Sequence, residues 1–157
     1  MRHKLLLVAM LAICPWAMPA NAAERIYCAA SDAVVNISLE SGFSKKDEEQ
    51  LIHFRGIAGV KGDAVPPEFR RFEINSDMLR QYWTDDRDLR FSLQAFSPPK
   101  APVYRVTLSI LTSRKANSEP RFEGSYRLAV QKLKSGSRVD GEILLDHDAP
   151  IFCAIKR

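Results

Sequence analysis

Apolar and polar residues alternate with a period of two along most of the chain. From Leu89 to Ala95, the residues Leu89, Phe91, Leu93 and Ala95 face one way, while Arg90, Ser92 and Gln94 face the other. Tyr104, Val106, Leu108 and Ile110 alternate with Arg105, Thr107 and Ser109 over Val103–Leu111. Phe122, Gly124, Tyr126, Leu128 and Val130 do the same over Phe122–Val130, and Val139, Gly141, Ile143 and Leu145 over Val139–Leu145. Such runs predict half-buried antiparallel strands, one face on a core and the other in water. Shorter candidates are Ile26–Ala30, Ala33–Leu39, Leu51–Ile57, Phe69–Ile74 and Ile151–Lys156. Turn residues separate the runs, among them Gly59 with Gly62, Pro66-Pro67, Pro98-Pro99, Ser135-Gly136-Ser137 and Pro150.

Little of the chain has helical spacing. In NSDMLRQYW, Ser76 can cap a short helix, placing Met78, Leu79, Tyr82 and Trp83 on one face. SKKDEEQL can form another turn, with Ser44 as its cap. The expected fold is all-β and mainly antiparallel, a small barrel or else a sandwich of about eight to nine strands with one or two short helical turns. Gly124 and Gly141 fall on core faces of this pattern, where tight curvature of a closing sheet would call for them.

The N-terminus changes the length to be folded. MRHKLLLVAMLAICPWAMPANAAE has a basic start, a short apolar run from Leu5 to Ile13 and an A-x-A site at Ala20-Asn21-Ala22. This is the pattern of a secretory signal peptide cleaved after Ala22, with an apolar run too short to cross a bilayer. Cys14 follows Leu11-Ala12-Ile13 as in a lipoprotein box. The β-branched Ile13 before it and Pro15 after it argue against a lipid anchor there. Residues 23–157 are then one domain, which suffices to bury roughly 68% of the unfolded surface. No membrane span is expected in it, and the expected location is the periplasm or the exterior.

Removal of Arg2 and Lys4 leaves 21 basic against 19 acidic residues, so the formal charge falls from +4 to +2. The basic pairs Lys45-Lys46, Arg70-Arg71 and Arg114-Lys115 are scattered. Nucleic-acid binding needs a concentrated positive footprint and is not expected. Only Cys28 and Cys153 remain after cleavage, each inside a short apolar run. In an oxidising compartment the pair is expected to form a disulfide tying the first strand to the last.

The densest chemistry lies in RQYWTDDRDLRFSL, Arg80–Leu93. Tyr82 and Trp83 are expected to cover the core with their apolar bodies, their polar tips finding partners. The alternative is a partner-binding patch of Tyr82, Trp83, Arg87 and Arg90, since Trp, Tyr and Arg dominate interface energetics. Asp85, Asp86 and Asp88 sit in a wet, arginine-flanked turn, which favours ionised carboxylates over acid–base catalysis. Their spacing lacks the ligand series of a calcium loop. In LDHDAP, His147 stands between Asp146 and Asp148, but neighbours on a strand point to opposite faces. No nucleophile elbow or phosphate loop is present, and no metal or cofactor is expected.

Three functions fit. The first is an exported, non-catalytic binding protein of the cell envelope with an envelope or secreted protein as partner, working through loops such as Thr84–Arg87, Lys61–Glu68, Pro98–Pro102 and Arg114–Pro120. In size, export and single disulfide the chain is similar to the small periplasmic lysozyme inhibitors, which implies a compact β-barrel and a sharper version, inhibition of a secreted hydrolase. Their Ser-Gly-rich inhibitory loop with its Lys-Tyr ending has no counterpart, so no residue carries over. The second is a small hydrolase or metal enzyme, which requires His53 and His147 to converge with loop aspartates. The third is a structural part of an envelope assembly, docked through an edge strand.

Overall fold

The computed structural model describes residues 24–44, 46, 50–100, 102–116 and 120–156. The signal-peptide and Cys14 readings lie outside these residues, as does half of the expected helical turn at Ser44. Nine strands form: β1 (Arg25–Ser31), β2 (Val35–Phe43), β3 (Leu51–Val60), β4 (Phe72–Asn75), β5 (Leu79–Thr84), β6 (Asp88–Phe96), β7 (Tyr104–Ser113), β8 (Arg121–Leu133) and β9 (Gly141–Lys156). They make one antiparallel sheet in the order β4-β3-β2-β1-β9-β8-β7-β6-β5, curled into a nearly closed barrel. The alternative of a sandwich is thereby removed.

The two edges of this sheet, β4 and β5, are consecutive in sequence. The chain pairs with β3 from Phe72 to Asn75, makes a 3-10 turn over Ser76–Met78, then pairs with β6 from Leu79 to Thr84. A single interrupted strand therefore spans the seam, its first half held by one edge and its second half by the other. Ser76 Oγ accepts the Phe54 backbone N–H at 3.0 Å across the gap. Inside it, the Phe54 and Phe91 rings meet edge to face at 5.4 Å.

Inward residues fill the barrel. Phe122, Tyr126, Leu128 and Val130 of β8 interleave with Leu108 and Ile110 of β7, Ile151 of β9 and Val35 of β2, all essentially inaccessible to water. Each such side chain contributes about 1.5–3 kcal/mol on burial. Cys28 and Cys153 stand opposite one another in the β1–β9 register, and their disulfide lies within this core.

Four expectations are corrected in detail. The helix over NSDMLRQYW is only the 3-10 turn Ser76–Met78, and its cap is the Asn75 side chain, accepting from Asp77 N–H at 3.0 Å. Ser76 instead serves β3. Phe69 belongs to a separate 3-10 turn, Pro67–Phe69, where it packs against Phe72 and Tyr104, and the strand begins at Phe72. Val139 and Ile143 are exposed. Val130 faces Leu145 but Gln131 faces Ile143, so Leu144 is an extra residue that reverses the alternation. Finally, Pro150 does not break β9. Pairing with β1 stops at Phe152, so Pro150 has a strand on one side only, a setting that tolerates proline.

Candidate binding face

The turn between β5 and β6 is organised by one carboxylate. Asp85 Oδ1 accepts the backbone N–H groups of Arg87 at 2.7 Å and Asp88 at 2.6 Å. Its Oδ2 accepts the Trp83 indole N–H at 2.8 Å. The Asp88 amide, the indole and the Arg87 amide, in that order, all favour the charged form and hold the Asp85 pKa down at about 2. The same oxygens that shape the turn thus orient the indole.

That indole is not part of the core. Trp83 is 61% exposed on the outer face of the barrel. It stands opposite Arg90 on β6, which stands opposite Leu111 on β7, and residues paired in this way project from the same face. Leu111 is 56% exposed, and the Arg90 guanidinium is held at 2.7 Å by Asp88. Tyr82 pairs with the inward Phe91 and so lies on the other face, half covered at the seam. Of the four residues grouped from sequence, Trp83 and Arg90 share a surface and Arg87 caps its end. Tyr82 does not join them. Leu111 was missed, although an apolar residue on the polar phase of β7 was visible in the alternation.

A second polar cluster closes the other end of the barrel. Asp32, in the β1–β2 turn, accepts the Val34 and Val35 N–H groups at 2.7 and 2.8 Å and the Tyr126 hydroxyl on its other oxygen. Partial burial works against the charged carboxylate, yet the hydrogen bonds from Tyr126, Val35 and Val34, with His147 close by, together outweigh it and lower the pKa of Asp32. Burial and the neighbouring Asp32 push Tyr126 up. At neutral pH the pair is a fixed acceptor and a fixed donor, suited to fastening the turn to β8. His147 Nε2 lies 3.3 Å from Asp32 Oδ1, buried, without the alignment of a hydrogen bond.

Asp146 and Asp148 point outward from His147, as the strand period requires, and Asp146 is bound to Arg127. His53 is exposed at a bulge beside the β2–β3 loop, with φ 55°, at the opposite end from the β1–β2 turn. The fold does not bring the two histidines together. Among the described residues no three His, Cys, Asp or Glu side chains gather into a metal-binding group. No helix among them is long and apolar enough to cross a membrane.

Comparison with protein families, with curated proteins and with solved structures finds no significant match.

Proposed function

We propose that this protein is an exported, non-catalytic binding protein of the cell envelope that holds a protein partner on the outer face of β5–β7. The observation that carries this reading is Trp83, mostly exposed yet fixed by its bond to Asp85. A large aromatic held in place loses little freedom on binding, so more of its burial appears as affinity. Arg90 and Leu111 extend the face with the residue types found at the centre of interfaces, an arginine and an apolar neighbour. The buried disulfide supports the extracellular setting, where such bonds persist.

The test is a pull-down of envelope proteins with residues 23–157, followed by titration of any purified captured protein against Trp83→Ala and Leu111→Asp variants. Loss of about tenfold or more in affinity for Trp83→Ala is expected, in keeping with an interface hot spot. Partners that bind both folded variants undiminished would remove this face from the function.

A further inference from the structure

At the end of the barrel opposite the Trp83 turn, the β6–β7 loop and the β8–β9 loop face each other across an open cleft of about 890 Å³. Its apolar lining includes Phe96, Val103 and the buried Leu133. Its ionisable lining residues are Arg80, Lys134 and Arg138, all cationic, and no carboxylate is among the described residues that line it. Elsewhere on the barrel Arg25, Arg55, Arg70, Arg90, Arg121 and Arg127 each sit against a carboxylate. Three positive charges from two separate parts of the chain converge on this cleft without such a counter-charge.

The supporting backbone is built to hold them there. Leu79 faces Leu93 and Gln81 faces Ser92, so Arg80 is the extra residue of a bulge, a device that re-aims a side chain. In the β8–β9 loop, Ser137 N–H donates to the Lys134 carbonyl at 3.0 Å, and Lys134 N–H to the Asp140 carbonyl at 2.9 Å. Ser137 Oγ accepts the N–H groups of Val139 and Asp140 at 3.1 and 2.8 Å. Arg105 reaches over from β7 and donates to the carbonyls of Arg138 and Val139 and to Gln131. The loop satisfies its own backbone and leaves its cationic side chains to the cleft.

We propose that this cleft binds a small amphipathic anion, an acyl chain with a carboxylate or phosphate head, as a free molecule. The apolar lining takes the chain, and Arg80, Lys134 and Arg138 take the head. A volume within the common range for small-molecule sites suits such a ligand. Charged groups this exposed act through screened attraction, so affinity should fall as salt rises.

The test uses disulfide-intact residues 23–157 and isothermal titration calorimetry. Dodecanoate below its micelle concentration should bind one to one. Dodecanol should bind at least tenfold more weakly, and dodecyltrimethylammonium should not compete. The triple variant Arg80→Gln, Lys134→Gln, Arg138→Gln should lose at least tenfold for dodecanoate alone, whereas Phe96→Ala should weaken dodecanoate and dodecanol together. Trp83→Ala, at the other end, should change neither, which separates this site from the proposed protein-binding face. Equal affinity for dodecanoate and dodecanol would overturn the proposal even if the triple variant failed to fold. So would binding only to phosphatidylglycerol vesicles, or no heat of binding at millimolar ligand.

Discussion

Asp85 is exposed yet accepts three hydrogen bonds that shape the turn between β5 and β6. Its three hydrogen bonds are strongest while the carboxylate is charged and weaken on protonation, and its pKa is depressed to about 2 from an ordinary 3.8. For a carboxylate lowered on folding, the stabilisation is complete above the unfolded value and is lost as pH falls through the folded one. Trp16 lies in the expected leader, so Trp83 is the sole tryptophan of residues 23–157 and reports on the turn directly. Its emission should stay constant as pH drops past 4 and change only towards pH 2. In Asp85→Asn the acid-induced step should vanish. A step centred near pH 4 in the native protein would mean that the indole is not held as described. The sequence announced the turn through its aspartates, but not which carboxylate would be the keystone. Asp85, Asp86 and Asp88 are chemically alike, and only the backbone path separates them.

At the level of elements, the strands with unbroken alternation were legible because one buried face forces a period of two. Legibility failed where a few residues satisfy two periods or where a bulge resets the phase. Met78, Leu79, Tyr82 and Trp83 fit a helix face on spacing alone. The unpaired edges of β3 and β6 decide otherwise, and those edges are set by residues distant in sequence. Leu144 shifts the phase of β9, and nothing local to Gly141–Leu145 marks it. The same bulge logic hid Arg80, and with it the cationic cleft. Gly124 was the better guide, since the backbone of β7 comes close to it. A Cβ at that position would overlap the Leu111 carbonyl oxygen and crowd Thr112 Cα on β7. Those atoms are backbone and cannot swing aside. Gly124→Ala should therefore lower the free energy of unfolding by about 1–3 kcal/mol, measured by urea titration. A neutral or stabilising result would show that β7 does not come that close to Gly124.

For the molecule as a whole, the barrel depends on pairing its first strand with its last. Residues 28 and 153 are separated by 125 positions, and the bond between them removes that loop's freedom from the unfolded chain. In the chain-entropy account this stabilises by about 4–5 kcal/mol, as much as the net stability of many small domains. The Cys28→Ala, Cys153→Ala protein should lose about that much, with a lower urea midpoint. Because both sulfurs are buried in the native barrel, reductant should act on the intact protein only as fast as it opens. Rapid reduction without unfolding would place the bond nearer the surface.

The pairing of Arg25 with Lys156 has one more consequence. A few added residues could join those two positions, and the chain could be reopened at the exposed Lys61–Asp63 bend, where Gly62 has φ 82°. Such a circular permutant would keep every strand pairing while placing Cys28 and Cys153 close together in the new chain. Its cross-link would then enclose only a short loop, and its entropic contribution would fall to about 3 kcal/mol.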